Sequence, residues 1–154
     1  MTIKKVAVIG GGTMGSGIAE VAAKSGCDTI VVEIDASLAE QAQKKLEVST
    51  EKAVSRGKMT DEDRSGLLSR ISFTTSFDEL TDRDLVIEAV VESPSVKASV
   101  FKTLDEIVQK DGILASNTSS ISIGDIANNT SRGPQVLGMH LSLIHISEPT
   151  RHAS

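Results

Sequence analysis

The chain has 154 residues, 39% of them hydrophobic and 24% charged, which is the balance of one soluble globular domain and not of a disordered tail, a collagen-like repeat or a membrane protein. Sixteen basic against 21 acidic residues leave a net charge of −5, without the basic face that nucleic-acid binding needs, so no nucleic-acid partner is expected. Aromatics are limited to Phe73, Phe77 and Phe101, which argues against base-stacking platforms and aromatic cages and leaves the core to aliphatic side chains.

Residues 3–9 are a β-branched run closed by Gly10-Gly11-Gly12, the pattern of a buried strand. Residues 13–24 place Met14, Ile18, Val21 and Ala22 at helical spacing before Ser25-Gly26. The single cysteine, Cys27, excludes an intrachain disulfide and reads as a half-buried packing residue in a reducing compartment. Residues 29–34 form a second buried strand. Asp35-Ala36-Ser37 opens a long helix ended by Gly57, and Thr60-Asp61-Glu62-Asp63 caps a shorter one reaching about Leu68. A short strand over 71–75 and a connector over 77–80 lead to a buried strand at 84–91. Ser93-Pro94 starts a helix to about Gln109, with proline where its missing N–H costs nothing. A strand at 113–116, a short helix at 123–128 and a strand at 135–140 complete the pattern. This alternation predicts an α/β fold: a Rossmann-type doubly wound, mainly parallel sheet with right-handed crossovers and helices on both faces. The start shows no signal-peptide pattern and no apolar run nears the ~20 residues of a membrane span, so a cytoplasmic location and no membrane partner are expected.

Gly10-Gly11-Gly12-Thr13-Met14-Gly15 is a GxGxxG motif that leaves a strand and opens a helix. Gly10 permits the tight turn, Gly12 admits a pyrophosphate to the backbone, and Gly15 lets the helix pack on the sheet. The amides near Thr13 and Met14, with the helix dipole, suit the pyrophosphate charge. Asp35 lies twenty residues after Gly15 at the end of the next strand, placed to accept bonds from a ribose diol and to repel a 2′-phosphate. NAD is therefore favoured over NADP. Glu33 competes for the ribose role, but Asp35 lies nearer the strand's carboxyl end, where ligands bind.

Three further segments carry a resemblance: the run from Asp84 through Glu88 to Glu92, then Ala115-Ser116-Asn117-Thr118-Ser119-Ser120, then Leu137-Gly138-Met139-His140. With the glycine motif, residues 1–140 resemble the amino-terminal domain of the L-3-hydroxyacyl-CoA dehydrogenases, a family that includes bacterial 3-hydroxybutyryl-CoA dehydrogenase. The resemblance implies hydride transfer between NAD and a 3-hydroxyacyl-CoA thioester. It matches His140 to the catalytic histidine, Ser119 to the active-site serine that also holds substrate, and Asn117 to the asparagine near nicotinamide and substrate. Glu92 and Lys97 match cofactor-contacting positions. The types make chemical sense, since the 3-hydroxyl must lose its proton as hydride leaves, and histidine titrates near neutrality. Blander roles stay open: an N-cap for Ser119, a turn former for Asn117, a packing residue for His140, a helix-entry acid for Glu92 and an exposed lysine for Lys97. Lys44, Lys45, Lys52, Arg56 and Lys58 outweigh Glu47 and Glu51 within residues 44–58. The family places the CoA nucleotide there, though a solvated helix face is the simpler reading.

After His140 the family pattern breaks. Residues 141–154 resemble translated read-through of a sequencing adapter and are read as a non-native tail. The family's carboxyl-terminal helical domain, which binds acyl-CoA and forms a homodimer, has no counterpart in the chain. The expected function is the NAD-binding domain of a 3-hydroxyacyl-CoA dehydrogenase, a fragment with little activity of its own. Two alternatives remain open, a related dehydrogenase of another hydroxy substrate and a non-catalytic dinucleotide-binding module.

Overall fold

A computed structural model describes residues 2–10, 12–90, 94–116, 131–132 and 136–138. Six parallel strands form one sheet: β1 (Lys5–Ile9), β2 (Asp28–Val32), β3 (Ile71–Thr74), β4 (Leu85–Glu88), β5 (Ile113–Ser116) and β6 (Val136–Gly138). Their spatial order is β3-β2-β1-β4-β5-β6. From β1 the chain winds outward through β2 and β3, then returns to the other side of β1 at β4. That reversal opens a crevice above the carboxyl ends of β1 and β4, where doubly wound sheets bind ligands.

Alternation along β1 explains why helices cover both faces. Ala7 and Ile9 join a core completed by Phe101, Leu104 and Val108 of α4 (Pro94–Ile107) and the turn beyond it. Val6 and Val8 face the other way, onto Ile18, Ala19 and Ala23 of α1 (Thr13–Lys24), Leu46 of α2 (Ala36–Ser55) and Leu67 of α3 (Asp61–Arg70). A strand buried on both faces must be apolar at nearly every position, as β1 is after Lys5. Phe101 is fully buried, so its truncation to alanine would cost ~3–5 kcal/mol.

The amino-terminal edge of the sheet is tied by charged side chains. Asp84 Oδ2 accepts the backbone N–H groups of Lys4 and Lys5, each at 2.9 Å. Buried Arg83 donates to the carbonyls of Val6 and Asp28, and Asp82 pairs with Lys5 at 2.7 Å. Helix α4 is closed at its far end by another buried arginine. Arg132 donates to the carbonyls of Asp105, Val108, Gln109 and Gly112, and its Nε lies 2.9 Å from Asp105 Oδ1. One of these carbonyls, that of Asp105, belongs to the last turn of α4, where a helix leaves its C=O groups without intrahelical partners, and the others belong to the turn beyond it.

The elements fall close to where periodicity and caps predict, but two strands end early, the first being the one expected over 29–34, which stops at Val32. Among the described residues, the apolar run expected as a strand at 84–91 is a strand only over Leu85–Glu88. Glu88 Oε2 takes the N–H of Val90 at 2.7 Å, and β1, the neighbour on that side, has already turned away at Gly10. The chain therefore leaves the ladder early. The helix expected at 123–128 lies outside the described residues.

Candidate functional site

The glycine turn sits at the mouth of the crevice. Gly10 has φ +102°, a left-handed conformation that glycine adopts without penalty, and its N–H donates to Val32 O at 2.8 Å. Gly15 faces Gly10 so closely that a Cβ there would lie 1.8 Å from the Gly10 carbonyl oxygen. Gly12 differs: nothing stands within 4 Å of where its Cβ would be. That open side leaves room for a ligand to reach the backbone.

Gly12 is the N-cap of α1 and makes no side-chain cap, and the first turn carries no acid. The amides of Thr13, Met14 and Gly15 open the helix without intrahelical acceptors, as at any helix start, and with the helix dipole they form an anion site. The residues present thus suit a pyrophosphate: a bare backbone, unsatisfied donors and no competing carboxylate.

Past the end of β2, the Asp35 side chain is exposed and its Oδ1 accepts the N–H of Leu38 at 2.8 Å, capping α2. The outer edge of that carboxylate faces solvent. Glu33, its competitor, is half-buried in the turn, where its N–H bonds Thr74 O. Between them Ile34, expected inside a buried strand over 29–34, lies beyond the end of β2 at Val32 and is 85% exposed.

On the other side of the crevice lies a buried cluster. Glu88 and Lys97 are both fully enclosed, with Lys97 Nζ 2.6 Å from Glu88 Oε2. Ser116 Oγ donates to Glu88 Oε1 at 2.7 Å. Lys97, expected at a cofactor-contacting position, stands in this cluster with its ammonium engaged with Glu88. Glu88 itself was missed, although an acid inside the run Leu85-Val86-Ile87-Glu88-Ala89 is a signal, since a buried carboxylate requires a partner.

Lys44, Lys45, Lys52, Arg56 and Lys58 line one open groove of about 580 Å³ along α2 and the turn after it, with Val48, Ser49 and Ala53 as its remaining walls. Glu47 and Glu51 are not among the lining residues. Gly11, Glu92, Asn117, Ser119, His140 and residues 141–154 lie outside the described residues. Among the described residues no helix is long and apolar enough to cross a membrane.

The strand order, the glycine turn and the acid after β2 define a Rossmann-type dinucleotide-binding domain. The chain belongs to the family described as 3-hydroxyacyl-CoA dehydrogenase, NAD binding domain, whose model matches residues 5–143. The dinucleotide of that family is NAD. A relative from Mycobacterium tuberculosis named 3-hydroxybutyryl-CoA dehydrogenase is 46% identical over 139 residues, covering 90% of this chain and 49% of the relative. The crystal structure of M. tuberculosis FadB2 superposes with a TM-score of 0.90 at 45% identity, covering 92% of this chain and 50% of that one. The (S)-3-hydroxybutyryl-CoA dehydrogenase from Ralstonia eutropha gives a TM-score of 0.88 at 38% identity, with 92% and 50% covered. The chain thus spans about half the length of the curated relatives it matches.

Proposed function

We propose that this chain is the cofactor half of an enzyme that interconverts 3-hydroxyacyl-CoA and 3-ketoacyl-CoA. The observation that carries the reading is its 46% identity, over 139 residues, to a protein named 3-hydroxybutyryl-CoA dehydrogenase. Gly10, Gly11, Gly12, Thr13, Met14 and Gly15 cradle the pyrophosphate, Asp35 holds the adenosine ribose, and Ile34 offers apolar surface to the adenine. Bound NAD supplies the hydride acceptor. His140 takes the proton of the 3-hydroxyl and returns it in the reverse direction, Ser119 holds the same oxygen, and Asn117 orients the reacting groups. Glu92 borders the cofactor at the entry of α4. The groove of five cations along α2 and the turn after it supports a CoA substrate, whose phosphates it would bind.

In this reading residues 1–140 are the NAD-binding domain, residues 141–154 are a non-native tail, and acyl binding and homodimer formation belong to a second domain. The unpaired thiol of Cys27 supports a reducing compartment such as the cytoplasm.

The test joins residues 1–140 to the carboxyl-terminal half of the 46% identical relative and follows NADH formation with 3-hydroxybutyryl-CoA. Activity that requires the thioester is expected, with His140→Ala lowering turnover at least ~10²-fold. Turnover of free hydroxy acids alone would replace the CoA reading with another hydroxy substrate. NAD binding without turnover of any hydroxy compound would leave a binding module.

A further inference from the structure

We propose that Glu88 is a positioning residue for the nicotinamide half of the site, acting through Lys97, Ser116 and the backbone of Val90; the inference rests on the NAD reading above and deepens it. One carboxylate gathers three segments. Its Oε2 accepts from Lys97 Nζ, in the first turn of α4, at 2.6 Å and from the Val90 N–H, just beyond β4, at 2.7 Å. Its Oε1 accepts from Ser116 Oγ at 2.7 Å. Glu88 and Ser116 are register partners and the last residues of β4 and β5.

The position of the cluster assigns its role. A doubly wound sheet binds a dinucleotide across the crevice with one mononucleotide over each half. Asp35 and the end of β2 take the adenosine side, so the nicotinamide side falls over the ends of β4 and β5. Glu88 stands at that place, below the surface, against the backbone turn that also contacts the glycine motif: a Cβ on Gly10 would lie 3.0 Å from Ala89 O. Ser116 directly precedes Asn117, so the bond to Glu88 fixes the strand end from which that residue departs.

Stability alone does not explain the charges. Parallel central strands are ordinarily apolar throughout, and a buried ion pair is generally no better for stability than apolar side chains of the same volume. What the pair adds is direction: a carboxylate with both oxygens occupied admits one arrangement of β4, β5 and α4. Glu88 is fully enclosed, so it acts through the segments it holds.

The test titrates the 154-residue chain with NADH and with ADP-ribose, which lacks the nicotinamide. In the double variant Glu88→Gln with Lys97→Met, the introduced amide keeps a partner for Val90 and for Ser116 while both charges vanish. NADH is expected to weaken about tenfold and ADP-ribose to stay within about twofold, because only the nicotinamide half loses its positioning. Ser116→Ala, which leaves the ion pair intact, is expected to shift NADH about threefold in the same direction and keeps the test decisive if the double variant does not fold. Parallel loss of both ligands, or unchanged NADH binding in Ser116→Ala, overturns the role. A wild-type chain that binds ADP-ribose as tightly as NADH also overturns it, whereas one that binds neither removes the NAD reading itself.

Discussion

The Cβ that Gly15 lacks would overlap the carbonyl oxygen of Gly10, at 1.8 Å. Helix α1 thus rests on the turn that launches it, and the closeness brings its amides to the crevice. Gly15→Ala must push helix and turn apart, so we predict a loss of at least ~1–3 kcal/mol in urea unfolding, with NADH affinity reduced as well. Gly12→Ala is the contrast. Its Cβ meets nothing within 4 Å and its backbone is extended, at φ −65° and ψ −171°. Its stability should change by less than ~1 kcal/mol while NADH affinity falls, because the methyl enters the ligand's space. Equal effects of the two substitutions on stability would contradict this division.

Asp35 serves two purposes that a single substitution can separate. Asparagine caps helices about as well as aspartate, so Asp35→Asn should keep the bond to Leu38 and the stability of α2. It removes the charge that repels a 2′-phosphate. The predicted result is weaker NADH binding and a reduced preference for NADH over NADPH, read by parallel titrations. An unchanged preference would take the ribose role from Asp35.

Breaking the buried pair differs from replacing it. Lys97→Met leaves the Glu88 carboxylate enclosed beside a thioether and should cost ~3–5 kcal/mol. Adding Glu88→Gln should restore most of that loss, since two neutral side chains of similar shape remain. Chemical denaturation of the two variants decides it, and an equally unstable double variant would contradict the prediction.

Acid should weaken the amino-terminal edge of the sheet. The hydrogen bond from Lys5 holds Asp82 down to about 2 from an ordinary 3.8, with Arg83 assisting. The N–H groups of Lys4 and then Lys5 lower Asp84. A depressed carboxyl stabilises the fold above its unfolded value, and that contribution is lost as pH falls through the folded one. Urea midpoints should therefore drop between pH ~4 and ~2, and less steeply in Asp82→Asn with Asp84→Asn. Asp82 is 49% exposed at its side chain, so added salt should shrink its share. Identical pH profiles for wild type and variant would refute the assignment.

Local chemistry made most of the fold readable. Gly10 and Gly15 mark where the backbone must turn and where a helix must press on a strand, and both requirements are visible in residue type alone. Thr60 announces α3 because its hydroxyl caps Asp63, at 3.0 Å. What escaped reading depends on distance along the chain. Lys97 matched a cofactor-contacting position, with an exposed lysine as the plainer reading, and its burial against Glu88 was not visible because that partner lies nine positions back on another element. Arg132 offered no local sign that it would cross to the end of α4. Periodicity says which residues are apolar and on which face, but buried charges are arranged by tertiary neighbours.

Helix α4 is fastened at both ends by enclosed cations, Lys97 at its start and Arg132 at its finish. Most helices fray, so their terminal amides exchange with deuterated solvent long before the central ones. Here neither end can loosen without exposing a buried charge. The amides of residues 97–107 should exchange together, at one rate set by the opening of the whole nicotinamide-side layer, and α4 should behave as a single rigid strut under the site.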